Sequence, residues 1–138
     1  MKVRIKRLHP DAVIPKYAKA GDAGMDLTAV EMEREWNIVT YKTGLAIEIP
    51  EGHVGLLFPR SSVYKTSMVM SNCVGVIDSG YRGEVILKFL RISDSHPYEV
   101  GDRVGQLIIM PYPRVEFEEV EDLSSTDRGS GGYGSTGS

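Results

Sequence analysis

The chain has 138 residues, 41% hydrophobic and 25% charged, which indicates one globular domain and excludes a disordered chain or a protein of apolar membrane spans. Its formal net charge of −3 gives no general attraction to polyanions, so we expect no nucleic-acid or membrane partner, and any phosphate needs a local cluster of donors. The single cysteine excludes an intrachain disulfide, and the alternating basic and apolar N-terminus is unlike a signal peptide, so we expect a cytoplasmic protein, or one in the equivalent intracellular compartment of a host.

Short β-strands separated by turn residues are predicted along most of the chain. The alternating or β-rich runs are Val3 to Leu8, Ile38 to Tyr41, Leu45 to Ile49, Val54 to Phe58, Glu84 to Ile92 and Val104 to Met110. Seven prolines interrupt any long helix, and Ser61 to Lys65 is predicted as a single helical turn. The pattern predicts an all-β sandwich, jelly roll or barrel, which local patterns do not distinguish.

The segment 124–138 differs in composition from residues 1–123. It is rich in Gly and Ser, which favours a flexible tail after one folded domain. The same segment contains Arg128 and Tyr133. Glycine N–H groups, an arginine and an aromatic ring also suit a clamp that closes on an anion and a planar base.

An apolar run ends at Asp78 in a glycine-bounded turn that also contains Tyr81. The Asp78 carboxylate either acts as a general base toward a water molecule or caps its own hairpin turn. The Tyr81 ring either packs on the hairpin or forms a flat wall for a sugar or base. Cys73 lies nearby, and a free cysteine in an apolar run is more typical of a small buried residue than of a nucleophile.

Two further segments carry groups that suit phosphate. Arg60, Ser61 and Ser62 place a guanidinium and two hydroxyls at the start of a turn, where they either meet phosphate oxygens or include a helix cap at Ser61. Gln106 follows a charged turn and can hydrogen-bond a ligand. Asp26 lies after a glycine turn, a pattern compatible with Mg²⁺ held through water or with a solvated loop.

Taken together and in order, five segments resemble the five motifs of the trimeric dUTP pyrophosphatase family. These segments are 20–27, 59–62, 75–83, 101–106 and 128–137. The resemblance implies a distorted β jelly roll, a homotrimer with sites at subunit contacts, and Mg²⁺ as cofactor. It implies hydrolysis of dUTP to dUMP and pyrophosphate by water attack at the α-phosphorus, which limits uracil incorporation into DNA, and a lid formed by residues 124–138.

The same resemblance implies a role for each matching residue. Asp78 orients the attacking water, and Tyr81 lies beneath the deoxyribose and leaves no room for a 2′-hydroxyl. The groups on the uracil side are Asn72 and the main chain of Val76, Ile77 and Ile86. The groups on the phosphate side are Arg60, Ser61, Ser62 and Gln106, with Asp26 as an outer-shell partner of Mg²⁺. The tail contributes Arg128 and the main chain of Ser135 and Thr136 to the γ-phosphate, and Tyr133 to a stack on uracil.

Ser62 departs from the family pattern, because the second motif commonly ends in glycine. Arg-Ser-Ser resembles the dCTP deaminases of the same fold, which carry a glutamate on the strand after the aspartate hairpin. That position holds Lys88 here, and Glu84 lies roughly 13 Å away along the strand. The deaminase is therefore the second hypothesis. A regulatory module that signals nucleotide occupancy to a partner is a third.

Overall fold

The structure, a computed structural model, describes residues 1–94 and 96–137. These residues form nine β-strands and one 3₁₀ helix. The strands are β1 (Arg4–Arg7), β2 (Met25–Thr28), β3 (Glu31–Glu35), β4 (Ile38–Glu48), β5 (His53–Phe58), β6 (Met68–Met70), β7 (Gly75–Ile77), β8 (Glu84–Arg91) and β9 (Arg103–Pro111). The helix, Ser61–Thr66, follows β5, which confirms the predicted helical turn.

The strands form two antiparallel sheets. The five-stranded sheet has the order β1-β4-β8-β6, with β3 also paired to β4, and the four-stranded sheet has the order β2-β9-β5-β7. This architecture confirms the predicted all-β fold. Three of the strands, β2, β3 and β6, were not predicted, because runs of three to five residues are too short to establish a period of two. β7 corresponds to the apolar run that was expected to end at Asp78.

The prediction of separate strands for Ile38 to Tyr41 and Leu45 to Ile49 was wrong, because they form the single strand β4. The register of β4 against β8 shifts between Lys42 and Ala46, as in a β-bulge. Gly44 lies in this bulge with a φ of 66°, a conformation that favours glycine. The residues that resembled an interruption in the sequence are therefore a bulge within one long strand.

The core lies between the two sheets, where alternate residues of each strand face inward. Its largest fully buried side chains include Tyr41, Phe89, Leu27, Leu45, Leu87 and Leu107. Burial raises the pKa of Tyr41, so its hydroxyl remains a donor, and it donates to the main-chain oxygen of Tyr98 at 2.7 Å. The rings of Tyr41, Phe89 and Tyr98 pack edge to face, which anchors the loop before β9 to the core.

Beyond β9 the described chain, residues 112–137, contains no strand or helix. Ser138, the last residue of the predicted lid, lies outside the described residues. Across residues 1–94 and 96–137, no helix has the length and apolar character needed to cross a membrane.

Candidate active site

A small pocket opens where β7 of one sheet approaches the start of β8 of the other. Its volume is about 200 Å³, below the about 300–1,000 Å³ of drug-sized sites, so it suits a fragment such as a base with its sugar. Its lining residues are Leu57, Asn72, Gly75, Val76, Ile77, Tyr81, Glu84, Val85 and Ile86. Five of the six residues predicted to contact the uracil or the deoxyribose therefore line one pocket, and the sixth, Tyr133, does not.

Strand order exposes main-chain groups to this pocket. β7 is the last strand of its sheet and pairs only with β5 among the described strands. In an antiparallel edge strand, alternate residues direct N–H and C=O groups away from the neighbouring strand. The edge of β7 therefore presents donors and acceptors in a fixed row, as a planar base with its own donors and acceptors requires.

The turn after β7 joins Asp78 to Tyr81. The Tyr81 N–H donates to the Asp78 main-chain oxygen at 3.1 Å, which closes a four-residue turn between them. The Asp78 side chain is exposed and borders a concavity of about 300 Å³ shared with His53, Val76 and Tyr112. Asp78 thus lies beside the small pocket, held by the backbone rather than by a side-chain partner.

The Tyr81 ring lies over the backbone of Gly83. A Cβ atom on Gly83 would be 2.4 Å from the Tyr81 hydroxyl oxygen and 2.5 Å from Cζ, so only glycine leaves the ring in this place. The hydroxyl donates to the Glu84 main-chain oxygen at 3.0 Å. Gly83 and Glu84 therefore hold the ring against the start of β8, a role that the sequence did not predict.

Glu84 connects the pocket to the bulge of β4. Its Oε1 accepts the Gly44 N–H at 2.8 Å, so the glutamate side chain that lines the pocket is engaged with the backbone. Lys88, at the place where the deaminases carry their glutamate, is exposed on β8. Lys88 therefore offers no carboxylate to a base in the pocket, and Glu84 is held toward β4 through one of its two oxygens.

A second group of side chains forms around Asp26. Arg60 Nε donates to Asp26 Oδ1 at 2.8 Å, and Arg103 Nη1 donates to Asp26 Oδ2 at 3.1 Å. One carboxylate between two guanidiniums leaves a local excess of positive charge, which attracts phosphate. Asp26 and Arg60 are about three-quarters buried, with side-chain exposures of 26% and 23%, so water screens their charges less than at an open surface.

Strand pairing brings Gln106 to the same group. Gln106 is paired to Asp26 on β2 and to Phe58 on β5, and its Nε2 donates to the Pro59 main-chain oxygen at 3.0 Å. Ser61 begins the 3₁₀ helix, whose N-cap residue, Arg60, makes no side-chain capping bond. The four predicted phosphate-side residues and Asp26 thus cluster.

Arg103 and Tyr98 belong to this cluster and were not predicted as site residues. The turn before β9 was interpreted as structural, and this holds for Asp102, whose Oδ2 accepts the Glu99 N–H at 2.8 Å. Arg103, one residue later, instead pairs with Asp26. Tyr98 Oη lies 3.1 Å from Ser62 Oγ. Both contacts join residues distant in sequence, so no local pattern indicates them.

The two groups are far apart within one chain. Asp78 follows the last residue of β7, which by register places it level with Val54 near the start of β5. Arg60 follows Phe58 at the other end of β5. The four steps from Val54 to Phe58 alone span about 13 Å. Asp78 and Arg60 of a single chain therefore do not reach the same phosphorus atom.

The predicted tail residues lie away from both groups. Arg128, Tyr133, Ser135 and Thr136 are exposed, and Arg128 Nε donates to the Gly131 main-chain oxygen at 2.8 Å. The main-chain hydrogen bonds described between residues 126 and 137 connect neighbours within that stretch. The predicted tail contacts therefore do not form within this single chain.

Asp26 is the candidate metal partner. Among the described residues, no group of three or more His, Cys, Asp or Glu side chains is placed to hold a metal ion. The two bonds from arginines occupy one lone-pair direction on each Asp26 oxygen, and a carboxylate has about four such directions. Asp26 can therefore still accept a hydrogen bond from a metal-bound water.

Cys73 is not the small buried residue that the sequence favoured. It is exposed and has a φ of 59°, because it forms the turn between β6 and β7, where its N–H donates to Met70 O at 3.0 Å. The turn, rather than a strand, thus explains its exposure.

Enzymes that transfer phosphoryl groups position a base on one side of the reacting phosphorus and cationic donors around the phosphates. A two-sheet β subunit that supplies both sets of groups belongs to the class of all-β nucleotide hydrolases. The family model described as dUTPase matches residues 11–137, and the chain belongs to this family, as the motifs predicted.

Related proteins of known sequence and solved structures are similar to this protein over nearly its whole chain. The deoxyuridine 5′-triphosphate nucleotidohydrolase of Hydrogenobaculum sp. is 40% identical, over 99% of both proteins. That of Thermobifida fusca is 39% identical, over 99% of this chain and 79% of its own. A mutant dUTPase of Staphylococcus bacteriophage 80alpha, solved with dUpNHpp, has a TM-score of 0.88 at 29% identity, with 99% of each chain covered.

Proposed function

We propose that this chain hydrolyses dUTP to dUMP and pyrophosphate, with its active sites formed between subunits of a homotrimer. One observation carries the proposal: five of the six predicted nucleoside contacts line one pocket, and Asp78 follows in the turn that begins there. The relatives' names support the same reaction. The residues that line the pocket and the family membership thus support the same substrate, dUTP.

Uracil enters the small pocket, where Asn72 and the edge of β7 bind its donors and acceptors. Tyr81 lies against the deoxyribose, and its ring fills the space of a 2′-hydroxyl, so ribose is excluded sterically. Asp78 accepts a proton from water as the water oxygen attacks the α-phosphorus. The bond from that phosphorus to the bridging oxygen breaks, and pyrophosphate leaves with the electron pair.

The phosphates lie against Arg60, Ser61, Ser62 and Gln106, and Arg103 adds a second positive charge to this cluster. Mg²⁺, when bound, neutralises charge on the triphosphate. Asp26 holds it through water, since Mg²⁺ commonly keeps several waters and takes its direct ligands from phosphates. Asp26 also accepts hydrogen bonds from both guanidiniums, so one carboxylate would orient the two arginines and a water bound to the metal.

A second copy of the chain completes each site. The separation of Asp78 from Arg60 requires the phosphate cluster of one subunit to face the Asp78 turn of another. The outer face of the four-stranded sheet supports this assembly, since Leu56 pairs with both Ile108 and Val76, and Val54 with Met110. Val76 and Met110 are 65% and 45% exposed, and contiguous apolar surface of this kind marks an interface.

The tail acts as the lid of a site. Arg128 and the main chain of Ser135 and Thr136 bind the γ-phosphate, and Tyr133 stacks on uracil. Exposed apolar side chains precede it, and they are Val115, Phe117, Val120 and Leu123. Their exposure in one chain supports a path of this segment across a neighbouring subunit. Hydrolysis of dUTP would further favour an intracellular compartment, where nucleotides occur.

Pyrophosphate release from dUTP, dCTP, UTP and dTTP tests the reaction. We expect release from dUTP only, and no ammonia from dCTP, because Glu84 is engaged by Gly44 and Lys88 occupies the deaminase position. Conversion of dCTP to dUTP would favour the deaminase instead. Hydrolysis of all four nucleotides at similar rates would contradict the assignment of the pocket.

Mixed trimers test whether sites lie between subunits. Asp78→Asn and Arg60→Ala chains, each nearly inactive alone, are unfolded together and refolded. If each site takes Asp78 and Arg60 from different subunits, about a quarter of the sites in the mixture contain both residues. Recovery of activity near this fraction is expected. No recovery, with trimers of mixed composition verified by mass, would show that both residues act within one chain.

A further inference from the structure

The guanidinium of Arg60 is held at two places. Its Nε donates to Asp26 Oδ1 at 2.8 Å, and its Nη1 donates to Ser62 Oγ at 3.2 Å. A guanidinium is planar with five N–H donors, so bonds at two of its nitrogens fix the plane of the whole group. Ser62, at a position where the family commonly has glycine, supplies one of these two bonds.

Ser62 is in turn attached to the protein core. Its Oγ lies 3.1 Å from the hydroxyl oxygen of Tyr98, a buried residue in the loop between β8 and β9. The Tyr98 ring centroid lies 6.2 Å from those of Tyr41 and Phe89, edge to face in both pairs. Its main-chain oxygen also accepts the Tyr41 hydroxyl. A chain of hydrogen bonds thus runs from packed aromatic rings to Arg60.

We propose that Ser62 and Tyr98 are positioning residues that hold Arg60 ready for the triphosphate, an inference that rests on the proposed phosphate-binding role of Arg60. In this role Ser62 acts on the phosphates through Arg60, which replaces the direct contact with the phosphates that its motif position implies. An arginine side chain loses rotamer freedom when it binds a ligand, and fixing it beforehand reduces that loss. Glycine at position 62 has no side chain for either bond.

The test measures binding of two probes, dUpNHpp and deoxyuridine, which lacks phosphates. Ser62→Ala, Ser62→Gly and Tyr98→Phe are each expected to weaken binding of dUpNHpp by about three- to tenfold, the range of one hydrogen bond. Binding of deoxyuridine is expected to stay the same. For dUTP, KM should rise more than kcat falls. Ser62→Thr keeps a hydroxyl and should restore part of the affinity.

Two controls separate positioning from general damage. Thr43→Val removes a buried hydroxyl outside the chain from Tyr98 to Arg60, one that donates to the Val85 main-chain oxygen at 2.7 Å, so it should lower the Tm while the ratio of the two affinities stays constant. In an Arg60→Ala background, Ser62→Ala should cause no further loss of dUpNHpp affinity, because the residue through which it acts is gone.

The outcomes distinguish this inference from the proposed function. If Arg60→Ala leaves dUpNHpp binding unchanged, the phosphate role of Arg60 is wrong and the inference fails with it. If Arg60→Ala weakens binding but Ser62→Ala and Tyr98→Phe do not, only the positioning role is wrong. If Ser62→Ala still weakens binding in the Arg60→Ala background, Ser62 contacts the phosphates directly and the positioning role is overturned.

Discussion

The segment from Asn72 to Ile86 and the tail from residue 124 to 137 both carry residues that the family motifs assign to the nucleotide, yet they differ in what a single chain does with them. The segment 72–86 gathers its residues into one pocket and holds Tyr81 with a hydrogen bond and a bare glycine backbone. The tail leaves its residues exposed, and Tyr133 is fully open to solvent.

The difference shows which contacts strand pairing supplies and which require assembly or ligand. Residues on paired strands are placed by register, and their order exists before substrate binds. Residues in a glycine-rich segment acquire a place only through a partner surface or a bound nucleotide, and that ordering reduces the net binding free energy. With the proposed roles, selection of the nucleoside is therefore built into the subunit, while closure over the phosphates requires a partner subunit or the bound nucleotide.

The largest effect on activity is expected in the segment 72–86, for Asp78→Asn. The amide keeps the shape of the carboxylate but does not accept the proton of water, so kcat should fall by roughly 10²-fold or more. Binding of dUpNHpp and the Tm should remain close to the parent values, since the Asp78 side chain is exposed. A turnover near the parent rate, measured as pyrophosphate release, would show that another group is the base.

Deletion from Arg128 onward tests the tail. We expect the Tm and trimer mass to persist, because the residues described there bond only with near neighbours. The rate should fall at least tenfold, because a base stack is worth about 1–3 kcal/mol and a bond from Arg128 to a phosphate about 1.5–3 kcal/mol. An unchanged rate would make the segment a linker.

Gly83→Ala tests the contact between the Tyr81 ring and the backbone of Gly83, and it leaves the Tyr81 side chain itself unchanged. A methyl group there displaces the Tyr81 ring, so discrimination between dUTP and UTP, measured as a ratio of kcat/KM, should fall several-fold, and Tyr81→Ala should give a similar loss. Gly80→Ala is the matched control, because a Cβ there meets no atom within 4 Å. An unchanged ratio in Gly83→Ala would remove the ring from sugar selection.

The smallest effect is expected for the link between the pocket and the β4 bulge. Glu84→Ala removes the acceptor of the Gly44 N–H and should lower the free energy of unfolding by about 1–3 kcal/mol. Glu84→Gln keeps an oxygen acceptor and should lose less. Urea unfolding of both variants at one protein concentration makes the comparison, and equal losses would show that the charge rather than the hydrogen bond matters.

The sequence predicted the grouping of residues 72–86 well because their contacts lie within fifteen residues, but its interpretation of this segment as a hairpin was wrong, because β7 and β8 belong to different sheets. It predicted the all-β fold but divided β4 at its bulge, since the residues around Gly44 resemble a turn. It missed Arg103 as a partner of Asp26 and Tyr98 as a partner of Ser62, because register and loop packing create those contacts. The arrangement of the tail stays a prediction, since composition fits both a linker and a lid.

The hydrogen bond from the Tyr81 N–H to the Asp78 main-chain oxygen places the residue proposed to reject ribose and the residue proposed to activate water in one four-residue turn. A substitution that shifts this turn moves both side chains together. Variants that accept ribonucleotides because the backbone of this turn has shifted should therefore also have a lower kcat. Variants of the turn backbone that keep the parent kcat should keep the parent preference for dUTP over UTP. Evolution of this site toward a wider range of sugars would have to proceed through side chains such as Tyr81 itself, because a shift of the turn backbone changes kcat and sugar specificity together.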